Sequence, residues 1–239
     1  MNPTQKFSME CEQEIQLQSE DEEFSALSKQ WIEKANSLKY SYHFSWMGRP
    51  IIQYPTDIIA LHEIIYKTKP TFIIETGIAH GGSVTFNASQ MALLDLVDPL
   101  PSGRKRHVYA IDIDIREHNR KKLEEHPLAN YFTLYQGSST DLTLIKKIEE
   151  DIEGLQKNID GGMVILDSNH THDHVVKELN FYEGIYIYSI NDFKKLYKDK
   201  ILNTMKMKKE KYGYGYSYWK PLLIKQTLEL INDNDVIHY

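Results

Sequence analysis

Five short stretches of this chain place chemically capable residues at the ends of apolar runs. In "FIIETGIAHGGSVTF", residues 72–86, Glu75 ends an apolar run and Gly77, Gly81, Gly82 and Ser83 follow. In "VYAIDID" a second run ends in Asp112, with Asp114 two residues on. "YQGSST" offers Ser138 and Ser139, and "VILDSNHTHDHV" offers Asp167, Asn169, His170, His172, Asp173 and His174. "IYIYSIND" ends in Asn191 and Asp192.

A glycine-rich turn after a strand lets backbone come close to a ligand, and the helix behind it offers unpaired N–H groups. Such a helix end suits a pyrophosphate, but Glu75 is a poor neighbour for one. The spacing E-x-G-x-x-x-G-G-S also differs from the dinucleotide fingerprint G-x-G-x-x-G. A carboxylate at this place suits a cationic, hydrogen-bond-donating ligand such as S-adenosylmethionine. A purely structural turn is the alternative. Asp112, at the tip of a second strand, suits a pair of ribose hydroxyls; Asp114 shares that role or caps the next helix. Ser138 and Ser139 lie where an adenine would pass, and a helix cap at Ser139 or Thr140 fits equally well. Asp167, Asn191 and Asp192 are oxygen ligands of the kind hard cations such as Mg²⁺ take. His170, His172 and His174 alternate by two, so on a helix they point apart and do not form a zinc set. His170 is the candidate general base, or else a hydrogen-bonding residue at the helix start.

These residues need a scaffold that brings strand ends together, and the pattern supplies one. From residue 71, apolar runs of strand length alternate with helical stretches of 10–15 residues, which indicates a parallel sheet with right-handed crossovers. Five strands are expected: 71–76, 107–114, 131–138, 161–168 and 185–192. "FII" and "MVIL" are apolar on both faces, as a sheet covered on both sides requires. The expected fold is α/β, a Rossmann-like three-layer sandwich with an N-terminal helical extension. Residues 1–23 read as an acidic flexible tail. Residues 24–70 form a helical segment with a substrate-side loop at "WMGRPIIQYP". Residues 71–239 form the ligand-binding domain. Within 24–70, helices are expected over 24–39 and from a Thr56 cap to Pro70. Eight lysines between 194 and 211 read as a solvated loop or lid, or as a basic patch for an acidic partner, and a last helix starts at Pro221.

The chain has 239 residues, 41% hydrophobic and 26% charged, with a net charge of −6. That balance gives no pull toward nucleic acid or anionic membrane. No apolar run is long enough to cross a bilayer. One cysteine, Cys11, and an acidic N-terminus without signal-peptide character suit the cytoplasm. Leu27, Trp31, Ile64 and Ile65 are apolar residues suited either to the core or to an interface in a homo-oligomer.

The blocks "WMGRPIIQYPTDI", "KPTFIIETGIAHGGS", "VYAIDIDIR", "QGSST" and "VILDSNHTHDHVVKEL" together resemble the cephalosporin hydroxylase/rhamnosyl O-methyltransferase family of S-adenosylmethionine-dependent enzymes. The resemblance runs from about Trp46 to Asp192. It implies a class I methyltransferase sheet and a divalent cation. It implies that Glu75, Gly77, Gly81, Gly82 and Ser83 hold the methionine part of the cofactor. Asp112 takes the ribose, and Ser139 lies near the adenine. Asp167 is the first metal ligand, with Asp192 as the acidic residue after the fifth strand. The run between Leu179 and Asp192 is shorter than the family's, and its closing strands are curtailed. The expected reaction is a Mg²⁺-assisted O-methyl transfer to a sugar hydroxyl of a small molecule or glycan. The rivals are tailoring of a small secondary metabolite, a non-catalytic cofactor-binding or assembly subunit, and an NAD-dependent oxidoreductase.

Overall fold

The computed structural model describes residues 2–155 and 161–182. The fifth expected strand, Asn191 and Asp192, the lysine-rich stretch and the last expected helix lie outside these residues. The chain divides into two compact units, residues 1–43 and 44–239. The divisions expected at 23/24 and 70/71 do not coincide with this one.

In the first unit, the residues read as an acidic flexible tail include helix α1 (Pro3–Glu20). Asn2 starts it with a reciprocal capping box to Gln5, and Pro3 occupies the first turn. The helix buries no residue, which is why no apolar periodicity marked it. Helix α2 (Glu22–Ser37) follows, capped by the Asp21 side chain on Phe24 N.

The second unit opens with strands β1 (Phe44–Trp46) and β2 (Arg49–Ile51), an antiparallel hairpin where a loop was expected. Met47 and Gly48 turn it, both at positive φ (44° and 82°), the signature of a type I′ connection. Met at the first position hid that signal. Helix α3 (Pro55–Thr68) starts from Tyr54 with Pro55 in its first turn, so Thr56 is not its cap.

Strands β3 (Phe72–Thr76), β4 (His107–Asp112), β5 (Phe132–Gln136) and β6 (Gly162–Leu166) form one parallel sheet in the order β5-β4-β3-β6. Helices α4 (Gly82–Val97), α5 (Glu117–Glu124), α6 (Leu142–Leu155) and α7 (His172–Tyr182) alternate with the strands. The expected period-two and period-3.6 patterns appear here as two cores. Ile73, Val108, Ala110, Met163 and Ile165 pack one face against α3, α4 and α5. Phe72, Ile74, Tyr109, Ile111, Val164 and Leu166 pack the other against α6 and α7. Every residue of β3 and β6 is buried, as a sheet covered on both faces demands. Ile64 and Ile65 belong to the first of these cores, whereas Leu27 and Trp31 are exposed. After β5 the chain returns to pair β6 beside β3, so the order reverses next to β3. In open α/β sheets that is where a crevice opens at the carboxyl edge.

Candidate functional site

Four strand ends meet at this edge. Thr76 pairs with Ile111 on one side and Leu166 on the other, and Asp112 pairs with Gln136. The residues expected to act there follow directly: Gly77 after β3, Asp112 at the end of β4, Ser139 after β5 and Asp167 after β6.

Asp112 is the hub. Its Oδ2 accepts from Ile78 N (2.7 Å) and Ala79 N (3.1 Å), and its Oδ1 accepts from Asp114 N (3.0 Å). The carboxylate thus ties the β3–α4 loop to the tip of β4. It remains part-exposed and has lone-pair capacity beyond these three bonds. Asp114 takes part through its backbone, and α5 begins from Arg116 without a side-chain cap, so Asp114 is not a helix cap.

Glu75 is placed differently from the expectation. It is 0% exposed. Its Oε1 accepts from Ser83 Oγ, and its Oε2 accepts from Asn87 Nδ2 at 2.8 Å, both from α4. Burial drives its pKa from 4.5 up to about 7, against the two hydrogen bonds, which lower it. Side chains alternate along a strand, so Glu75 points the same way as Ile73, into the α4 layer.

The glycines also answer to the protein itself. At Gly77 (φ 94°) a Cβ would stand 2.1 Å from the Asp167 carbonyl oxygen. At Gly82 it would stand 2.2 Å from the Pro50 carbonyl oxygen and 2.6 Å from Ile51 Cα. At Gly81 it would meet the Leu123 side chain. The protein itself thus requires glycine here, because backbone just after β6 and in β2 and a side chain of α5 stand where a Cβ would be.

Ser139 is buried, and its Oγ lies 3.1 Å from His174 Nε2. It does not cap α6; Asp141 does that work, its Oδ1 accepting from Thr143 N. His174 also lies near Ser168 Oγ (3.3 Å) and Glu178 Oε1 (3.4 Å), and Ser168 donates to Glu178 at 2.6 Å. Tyr182 donates to the Ser139 carbonyl. Asp167 Oδ2 accepts from Gln53 Nε2 at 3.1 Å, and His170 Nε2 stands 3.3 Å from Asp167 Oδ1. The expected pair of Asp167 and His170 is therefore brought together.

Asp167 suits a hard cation as one carboxylate ligand. Among the described residues no group of three His, Cys, Asp or Glu side chains is placed for a metal. Asn191 and Asp192, the other expected ligands, lie outside them. The Asp112 edge fits a ribose-bearing cofactor by its spare acceptor capacity.

Sequence reading missed several members of this edge. Gln53 and Arg49 lie in the stretch taken for a loop. Asn119 sits in a highly charged helix with nothing to mark it. Asn87 and Glu178 became visible only through their partners.

Residues 38–215 match the family described as rhamnosyl O-methyltransferase/CmcI. Three solved structures are similar in part. CmcI with SAH has 18% identity and a TM-score of 0.36, over 57% of this chain and 58% of that one. CmcI with Mg and SAM has 16% identity and a TM-score of 0.40, over 68% and 71%. An apo CmcI structure has 18% identity and a TM-score of 0.38, over 68% and 71%. The chain thus spans about three fifths of the first of these proteins. None of the curated proteins compared with it matches. The family match covers well over half of the chain, so the chain belongs to the rhamnosyl O-methyltransferase/CmcI family.

Proposed function

We propose that this protein transfers a methyl group from S-adenosylmethionine to a sugar hydroxyl, assisted by Mg²⁺, in the synthesis of a glycan, surface polysaccharide or natural product. The observation that carries this is Asp112 at the carboxyl edge, bound to the loop after β3 in a chain of this family. The rhamnosyl group in the family's description supports a sugar acceptor.

When bound, S-adenosylmethionine supplies an electrophilic methyl on a sulfonium, open to in-line displacement, so alignment is a large part of the rate. Asp112 would accept from the ribose hydroxyls and fix the donor against the loop. Ser139 would lie beside the adenine. His170 would take the acceptor's hydroxyl proton, and Asp167, 3.3 Å away, would stabilise the imidazolium so formed. Asp167 would hold Mg²⁺ together with Asn191 and Asp192. Bound there, the ion would lower the acceptor hydroxyl's pKa.

Calorimetry with S-adenosylhomocysteine and with NAD tests the cofactor: the first is expected to bind and the second not, and the reverse result would overturn the reading. Methyl transfer to sugar acceptors is expected to need about millimolar Mg²⁺, because that ion keeps several waters and is held by few ligands. EDTA is expected to abolish it. Asp167→Ala is expected to lose nearly all turnover and keep its S-adenosylhomocysteine affinity. Full methylation in EDTA would remove the metal from the mechanism.

A further inference from the structure

The loop from Gly77 to Gly81 is held on two sides. From the sheet side, Asp112 binds Ile78 N and Ala79 N. From the opposite side, two buried residues outside the strand–loop–helix unit bind its carbonyls. Asn119 Nδ2 of α5 donates to the Ala79 carbonyl at 3.1 Å. Arg49 of β2 donates to the His80 carbonyl through Nε (3.0 Å) and Nη2 (2.5 Å). Arg49 Nη2 also donates to Asn119 Oδ1 at 2.7 Å, which joins the two into one bracket.

The backbone shape they hold is costly. Ala79 sits at φ 46°, between Gly77 at 94° and Gly81 at 84°. An alanine in the left-handed region persists only where its surroundings over-determine it. Here both its N–H and its C=O are fixed by side chains. Arg49 is itself buried, without a carboxylate partner among the described residues, and burial lowers its pKa. A desolvated cation bound to two carbonyl-type oxygens is an expensive arrangement for a turn that needed only to connect a strand to a helix.

We propose that Arg49 and Asn119 are positioning residues that hold the β3–α4 loop in its cofactor-binding shape, with Ala79 as the strained residue they restrain. The proposal rests on the reading of this edge as the S-adenosylmethionine site. It assigns part of cofactor affinity to the β1–β2 hairpin and to α5, neither of which ends at the carboxyl edge of a sheet strand. The strain also makes the bracket testable apart from general packing. Glycine at 79 adopts the left-handed region freely and no longer needs restraint.

The test uses the full chain. Asn119→Ala is expected to weaken S-adenosylhomocysteine binding about tenfold in calorimetry. Adding Ala79→Gly to that variant is expected to recover most of the loss. Hydrogen exchange without ligand is expected to speed up about tenfold or more at the Ile78 and Ala79 amides in Asn119→Ala, with the amides of β3 and β4 unchanged. Arg49→Lys, which keeps the charge but cannot reach two acceptors in the same plane, is expected to act in the same direction and serves if Asn119→Ala does not fold. Unchanged exchange at Ile78 and Ala79 would overturn the proposal, as would a loss of affinity that Ala79→Gly does not relieve. A parent protein that fails to bind S-adenosylhomocysteine would count against the cofactor reading, while the exchange experiment would still decide the bracket.

Discussion

At the scale of single residues, two carboxylates at neighbouring strand ends have opposite fates. Asp112 stays part-exposed and binds three backbone N–H groups. Asp112→Ala removes those acceptors and any bond to ribose. S-adenosylhomocysteine affinity is expected to fall by about 1.5–3 kcal/mol, the scale of hydrogen bonds to a charged group. Unchanged affinity in calorimetry would take Asp112 out of the site. Glu75 is sealed under α4, where burial raises its pKa to about 7. The folded state therefore holds a proton that the unfolded state has already lost between about pH 4.5 and 7. Stability from this group is present below that window and is lost as pH rises through it. Glu75→Gln carries no such titration. Its stability relative to the parent, from urea unfolding at pH 5 and pH 8, is expected to improve by up to about 3 kcal/mol at the higher pH, the worth of such a shift. An equal difference at both values would show that Glu75 titrates normally.

At the scale of elements, the start of α4 is pressed against β2. Gly82 has no room for a Cβ beside Pro50 and Ile51. From the sequence, Gly82→Val is expected to block the ligand and leave the fold intact. The structure changes that expectation. The added side chain must push β2 away, and overpacking costs about 1–3 kcal/mol or more. Gly82→Val is therefore expected to lower the thermal midpoint clearly before any ligand is added. A variant with the parent's midpoint and no S-adenosylhomocysteine binding would restore the ligand-space reading. The hairpin that carries Pro50 also carries Arg49, so this displacement and the loop bracket are coupled through one element.

At the scale of the whole molecule, the two compact units differ in what they bury. The second owns both sheet cores. The first exposes Phe24, Leu27 and Trp31 along α2, while α1 buries nothing. Exposed large apolar residues grouped on one helix support the proposal of a homo-oligomer. Trp31→Glu combined with Leu27→Glu is expected to reduce the mass seen by light scattering by at least half. S-adenosylhomocysteine binding, which draws on residues from 49 onward, is expected to persist. A parent that is monomeric at all concentrations would end this proposal. Among the described residues no helix is long and apolar enough to cross a membrane.

The sequence by itself determined the parallel sheet and its carboxyl edge. Alternating strand and helix periods, with β3 and β6 apolar on both faces, leave little freedom of architecture. It also determined that Asp112 and Asp167 both lie at that edge, because a residue after an apolar run has one place to be; that β3 stands between their strands came only with the fold. It did not determine where Glu75 points, since strand parity has meaning only once α4 covers one particular face. Nor did it determine why Gly77 and Gly82 are glycine: those reasons lie in Asp167 and Pro50, distant in sequence and near in space. Arg49, Asn119 and Gln53 carried no local signal, because a hydrogen bond to a loop carbonyl or a carboxylate asks nothing of the donor's neighbours in sequence. The hairpin and α1 escaped for a related reason. A three-residue strand and a helix that buries no residue leave no periodic apolar trace. Only the folded chain, by closing β2, α4 and α5 around one turn, decided which polar side chains shape the site.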